Sequence, residues 1–183
     1  MKQNYLQSSR LRLMDLEESH ATLLMQWAND PVVSSHLHDT SQPTRVEDQL
    51  AWIRDVKRDP YQRIFMIEHL EDQKIIGYGG LMRLNGEDFT AEVGLAIGEK
   101  EYWRKGLGTE SAWLLCRYGF RVLGLFNIQA EHYALNVASL RTFQKIGFRY
   151  YGTRRLSRLL SGQRWDVHYS DVLFHELLEP DEW

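Results

Sequence analysis

A single cysteine, Cys116, leaves this chain of 183 residues no internal disulfide and no cysteine-based zinc site, which fits a reducing compartment. It lies in an apolar stretch, where a buried, inert thiol is expected over a reactive one. No run approaches the ~20 apolar residues a membrane helix needs, and the polar start MKQNYLQSSR lacks the apolar stretch of a signal peptide. A soluble, cytoplasmic protein is therefore expected, with no membrane partner. Excess positive charge is missing too: 22 Lys and Arg stand against 25 Asp and Glu, so there is no basic footprint for nucleic acid. A mildly acidic surface is compatible with cationic partners such as amines. Repeats, low-complexity segments and linkers are also absent. At 43% hydrophobic, residues 1–183 are enough for one full core and too few for two, so a single domain is expected.

The pattern along the chain alternates strands and helices. Leu11 and Leu13 alternate with charged neighbours in a short strand, and Asp15 with Glu18 then reads as a capping box. It opens a helix burying Leu16, Leu23, Leu24 and Trp27 and stopping at Asn29-Asp30-Pro31. A second box, Thr44 with Glu47, starts a helix with the stripe Val46, Leu50, Ile53 and Val56. Residues 63–70, 74–84 and 89–98 read as an antiparallel meander, the last two joined at the hairpin signal Asn85-Gly86. A helix from Thr109 to about Leu123 presents Ala112, Leu115, Gly119 and Val122 on one face and stops at Gly124. A strand over 127–133, a helix over 137–146 ending at Gly147, and strands over about 148–155 and 166–174 complete the order β α α β β β α β α β β. That is a mixed α+β class.

Within this order, AEVGLAIGEKEYWRKGLGT at 91–109 joins an apolar strand to a helix through Arg104, Lys105, Gly106, Leu107, Gly108 and Thr109. Two glycines let backbone approach a ligand that a Cβ would push away, and the N–H groups of a helix's first turn point at an anion. A nucleotide P-loop needs a wider glycine spacing and a Lys directly before Ser or Thr. A dinucleotide fingerprint needs its third glycine at Ser111. Both fail, leaving a plain tight turn or a phosphate cradle of another kind.

A second cluster, Asn136-Val137-Ala138-Ser139 through Lys145-Ile146-Gly147-Phe148, decides the matter. With WRKGLG from Trp103 to Gly108 it resembles the GNAT superfamily of N-acetyltransferases. The branch it is similar to carries AExGxxIxxxYWxKGxGTE followed by NxxSxxxxxKxGF, like the ribosomal-protein N-terminal and spermidine acetyltransferases. Trp103 stands where the wider family has Gln or Arg. The likeness spans about Ser9 to Phe174. It implies the GNAT fold: a central, mostly antiparallel sheet splayed between strands 4 and 5 and flanked by about four helices. It also implies acetyl-CoA as co-substrate, no metal, and a primary amine as acceptor, either a small molecule or a protein N-terminus. A homodimer is compatible with it.

The resemblance places the pyrophosphate on the N–H groups of Arg104 to Thr109 and the pantetheine arm along Leu95 and Ile97, like an added strand. Gly94 and Gly98 read as a bulge in that strand or as ordinary imperfection. Asn136 would hold the pantetheine or a strand-end group, and Lys145 would reach the cofactor or cover its helix end. The basic stretch Arg154, Arg155, Arg158 and Arg164 reads as solvated faces or as a grip on an anionic partner or the cofactor's 3′-phosphate.

For catalysis, the amine must be neutral. An α-amine nearly is at pH 7, whereas an alkyl amine of pKa about 10.4 requires roughly 4.6 kcal/mol of help. Glu92 is the base suggested by AExG, its other reading being a solvated strand glutamate. Where many family members place a tyrosine as acid, this chain has Phe143, which has no proton to give. The resemblance then implies Ser139 as the acid, a residue equally suited to capping the helix that follows; Tyr133 is a weaker choice. His36 and His38 have only Asp39 as a further metal ligand and read as acceptor-shaping residues. The Phe143 gap keeps open a different class, a non-catalytic acyl-CoA-binding sensor or interaction module.

Overall fold

In the computed structural model, residues 5–34, 43–160 and 162–181 are described. Among them are seven strands: β1 (Leu11–Asp15), β2 (Arg63–His69), β3 (Lys74–Asn85), β4 (Thr90–Ile97), β5 (Asn127–Tyr133), β6 (Arg149–Leu160) and β7 (Gln163–Leu173). The helices are α1 (Ala21–Asn29), α2 (Pro31–Ser34), α3 (Val46–Arg58), α4 (Leu107–Arg121) and α5 (Val137–Lys145). The strands form one sheet in the order β1-β2-β3-β4-β5-β7-β6, antiparallel throughout except for β4 with β5.

Period-two alternation fills a core on each face of that sheet. Along β2, Phe65 and Ile67 enter one core while Ile64 and Met66 enter the other. The first core closes under α4, which is buried round most of its circumference through Leu107, Ala112, Leu114, Leu115 and Cys116. Burial pushes the Cys116 thiol up, so it stays protonated and inert as expected. The second core is roofed by α1 and α3 through Leu24, Trp27, Ile53 and Val56. Among the described residues no helix is long and apolar enough to cross a membrane.

Local chemistry shifts several expected boundaries. Asp15 does not cap a helix, because register holds it in β1 opposite Phe65; Glu17 and His20 form the box instead, His20 Nδ1 accepting the Glu17 N–H at 3.0 Å. Thr44 is taken up by Asn29, exchanging two hydrogen bonds of 2.9 Å, so α3 is capped one residue on, where Asp48 accepts the Arg45 N–H at 2.8 Å. α1 stops at Asn29 as expected, and Pro31 then opens α2, whose first N–H groups, from Val32 and Val33, are met by Asp30.

The hairpin expected at Asn85-Gly86 joins β3 to β4 as an antiparallel pair. Asn85 Oδ1 accepts the N–H groups of Glu87 at 2.9 Å and Asp88 at 3.1 Å, and this turn lengthens the connection to residues 86–89 before β4 begins. The helix expected from Thr109 starts at Leu107 and ends at Arg121, leaving Val122 half exposed rather than on the buried face. The last two strands, expected over about 148–155 and 166–174, extend further toward their turn and form a hairpin that reaches to Leu160 and Gln163.

Candidate active site

β4 and β5 pair over three residues, Thr90 to Glu92 against Asn127 to Gln129, and then part. Among the described residues, β4 continues to Ile97 with no strand on that side, while β5 continues to Tyr133 paired only with β7. The expected splay is therefore present, and Glu92 sits at its apex. A cavity of about 610 Å³ spans the opening, walled by β4 from Glu92 to Ala96, by Tyr133, Asn136 and Ser139, and by Trp52 and Tyr78 on the α3 side.

Past β4 the chain turns sharply into α4. Arg104 and Gly106 take left-handed φ angles of 60° and 77°. The first intrahelical bond runs from the Glu110 N–H to the Gly106 carbonyl at 3.1 Å, and no side chain caps the helix. The N–H groups of Gly106, Leu107, Gly108 and Thr109 are thus left without helical partners, with the positive end of the helix dipole behind them. This is the geometry of an anion site. Lys105 holds its ammonium 5.2 Å from the Tyr102 ring, and Arg104 is exposed beside it.

The loop is braced from the N-terminal segment by a group the sequence reading missed. Glu110, buried in the first turn of α4, accepts from Ser8 Oγ at 2.7 Å, the Arg10 N–H at 3.1 Å and Arg10 Nε at 2.6 Å. Arg10 Nη1 in turn donates to the Lys105 carbonyl at 3.1 Å. Trp103, the departure from the wider motif, donates its indole N–H to the Ile97 carbonyl at 2.7 Å and so ties the end of β4 to the turn. Gly94 and Gly98 differ: a Cβ at Gly94 meets only the end of the Met82 side chain, whereas at Gly98 it would overlap the Trp27 ring.

Glu92 is only 9% exposed rather than solvated. Arg83 Nη1 donates to it at 2.6 Å and Gln129 Nε2 at 3.2 Å, and the same Arg83 nitrogen reaches Glu131 at 3.2 Å. Burial, with the neighbouring Glu131 charge, holds the Glu92 carboxyl above its ordinary value, and Arg83 and Gln129 only partly oppose this. A carboxylate with a raised proton affinity, at the edge of a cavity, is suited to taking a proton. Arg83 itself has a φ of 51° in the irregular stretch of β3, and its side chain is 67% exposed.

Ser139 does not cap α5. That place is held by Asn136, whose Oδ1 accepts the Ser139 N–H at 3.0 Å. The Ser139 hydroxyl is instead 2.9 Å from Nδ1 of His132, and His132 Nε2 is 2.7 Å from Ser170 Oγ. His132 is 1% exposed, and burial, with His168 nearby, lowers its pKa to about 4, so the ring is neutral. Phe143 is buried against Phe148 and His132. Tyr133 lines the cavity with the Arg158 guanidinium 5.2 Å from its ring, and burial pushes its hydroxyl up.

The structure thus brings Glu92, Leu95, Asn136 and Ser139 to one cavity and puts Ile97 and residues 104–109 at the end of the same β4 edge and beyond it. Lys145 is exposed in the last turn of α5, outside the cavity wall. Of the basic stretch, Arg158 reaches the cavity, and Arg154, Arg155 and Arg164 are exposed on the β6–β7 hairpin. His36 and His38 lie outside the described residues. The missed His132 did leave a signal: Ile128, Ala130 and His132 fall on the buried face of β5, so a titratable group alternates with apolar ones.

The chain is similar to known proteins in sequence and in fold. A family model described as an acetyltransferase (GNAT) domain matches residues 10–149. An uncharacterized N-acetyltransferase, p20, of Bacillus licheniformis is 28% identical over 178 residues, covering 96% of this chain and 98% of that protein. The spermidine N(1)-acetyltransferase of Escherichia coli is 24% identical over 182 residues, 94% of this chain and 86% of its own. Among solved structures, spermidine N-acetyltransferase from Vibrio cholerae in complex with CoA and spermine superposes with a TM-score of 0.84 at 20% identity, covering 92% of this chain and 98% of that one.

Proposed function

Because the chain belongs to the GNAT acetyltransferase family, we propose that it moves the acetyl group of acetyl-CoA onto a primary amine. The observation that carries the reading is the parting of β4 and β5, with a buried carboxylate at its apex and an uncapped helix N-terminus beyond its far end. The diphosphate of the cofactor would rest on the N–H groups of Arg104 to Thr109, the segment that Arg10 and Glu110 brace. The pantetheine arm would lie along the free edge of β4 at Leu95 and Ile97, supplying the ladder partner that β5 withholds.

The thioester then faces the cavity between Glu92 and Ser139. Glu92 takes the proton of the incoming amine, directly or through water, and passes it to solvent. The amine nitrogen bonds to the acetyl carbon, the C–S bond breaks, and its electron pair settles on sulfur. An alkyl hydroxyl is a weaker acid than a thiol, so Ser139 keeps its proton and donates a hydrogen bond to that sulfur. The thiolate is protonated from water.

For the acceptor, the cavity offers Glu92 and Glu131 to a cation, and an arriving ammonium would displace the largely exposed Arg83 from Glu92. Together with the spermidine acetyltransferase likeness, this supports a polyamine as the first acceptor to test. Calorimetry with coenzyme A, followed by thiol release with spermidine, spermine, an amino sugar and a short peptide, tests both halves. No binding heat at millimolar cofactor, or binding without thiol release for every amine, would sink the reading.

A further inference from the structure

His132 sits between two hydroxyls, Ser139 Oγ at 2.9 Å from Nδ1 and Ser170 Oγ at 2.7 Å from Nε2. A neutral imidazole has one N–H and one bare nitrogen, so the ring must donate to one serine and accept from the other. The two choices have opposite consequences for the cavity. If Nε2 carries the hydrogen, it donates to Ser170, and Nδ1 consumes the Ser139 hydrogen, leaving that serine with only lone pairs to offer a departing sulfur. If Nδ1 carries it, the ring donates to Ser139 Oγ, and the Ser139 hydrogen is released toward the cavity.

Ser170 decides between them. It is completely buried, and among the described residues its Oγ meets no polar partner other than His132 Nε2. With the hydrogen on Nε2, the Ser170 hydroxyl hydrogen would be buried without an acceptor, an arrangement folded proteins avoid. With it on Nδ1, every hydrogen of the trio has a place: Ser170 donates to Nε2, Nδ1 donates to Ser139, and Ser139 keeps one hydrogen to give. The Asn136 cap fixes the backbone of Ser139 independently, so the ring sets only the direction of the hydroxyl.

We propose that His132 is a positioning residue for acetyl transfer: locked by Ser170 with its hydrogen on Nδ1, it turns the Ser139 hydroxyl into a donor aimed at the sulfur of the departing coenzyme A. The proposal rests on the role given to Ser139 above. It covers no proton transfer from His132; the ring keeps its hydrogen throughout, and the sulfur takes the electron pair of the C–S bond while accepting a hydrogen bond.

Imidazole 15N spectra of the histidine-labelled protein, with His132 assigned through His132→Asn, read the tautomer without any turnover. The expected result is a protonated Nδ1 and a bare Nε2; an Nε2–H signal, or one averaged between the two forms, overturns the proposal. In kinetics, Ser170→Ala should lower kcat by about tenfold, the effect of one misdirected hydrogen bond of about 1.4 kcal/mol. KM for acetyl-CoA should be unchanged and Ser170→Thr, which keeps a hydroxyl, should recover the rate. A merely structural serine would lower stability without this split, and an undiminished kcat in Ser170→Ala overturns the proposal. Full turnover in Ser139→Ala would instead remove the serine role itself, a failure the spectra distinguish because they do not depend on it.

Discussion

Replacing Arg10 by methionine should destabilise the protein more than replacing its partner Glu110 by glutamine, although Arg10 is much the more exposed of the two. The side chain of Glu110 is 5% exposed and that of Arg10 45%. Removing the guanidinium strands a carboxylate in the interior, where breaking a buried pair costs about 3–5 kcal/mol. Ser8 Oγ and the Arg10 backbone N–H remain to solvate it, so the lower figure, about 3 kcal/mol, applies. Glutamine in place of Glu110 strands only a cation that already reaches water, at a cost of about 1 kcal/mol. For a domain of this size these translate to drops in Tm of about 6–12 °C and about 2–4 °C. Calorimetric melts of both variants and of the double mutant measure the difference, and the double mutant should lose less than the sum. Because Arg10 also holds the Lys105 carbonyl, Arg10→Met should weaken coenzyme A binding as well. Equal losses, or a larger one for Glu110→Gln, would refute the burial argument.

Glu92→Gln should bind coenzyme A normally while transfer falls by about 10²–10⁴-fold, as for loss of a general base. Its stability moves the other way: the fold raises the proton affinity of Glu92, so its stabilising contribution is present at low pH and lost as pH rises through the raised value. The glutamine variant should therefore be the more stable at pH 7 in urea titrations, and the gap should close below about pH 4. His132 has the opposite sign. With its pKa lowered to about 4, its contribution is complete above about pH 6.5 and is lost as pH falls toward 4, about 3 kcal/mol in all. A urea series over that range on the parent and on His132→Asn should show stability falling more steeply with acid in the parent than in the variant. Gly98→Ala drives a methyl into a Trp27 ring stacked on Tyr78 and hydrogen-bonded to Glu99 at 2.8 Å, and should cost about 1–3 kcal/mol by thermal melt.

The chain order of strands and helices and the tight turn into α4 were readable because they rest on local signals. Alternation marks β4, paired glycines mark the turn into α4, and the two motifs occur in the expected order. What could not be read depends on partners far apart in the chain. Glu110 looks like a first-turn helix acid until Ser8 and Arg10 are folded onto it across about a hundred residues. Glu92 could be solvated or buried until Arg83, Gln129 and Glu131 close around it. Ser139 looked equally like a cap and a reactive group because both begin helices. The placement of Asn136 against its N–H removes the capping reading, and that of His132 against its hydroxyl shows where the side chain goes instead. The displaced caps at Asp15 and Thr44 share a cause: a tertiary partner, Phe65 or Asn29, outbid the local preference.

By parting from its neighbour after three residues, β4 keeps raw sheet border inside the molecule rather than on its rim. Unsatisfied strand borders ordinarily invite other chains to stack and aggregate. Here the border lines a cavity, where the slender, amide-bearing pantetheine arm proposed above would complete the rungs. Hydrogen exchange at Val93 to Ile97 should slow when that arm is in place, as the missing rungs are completed.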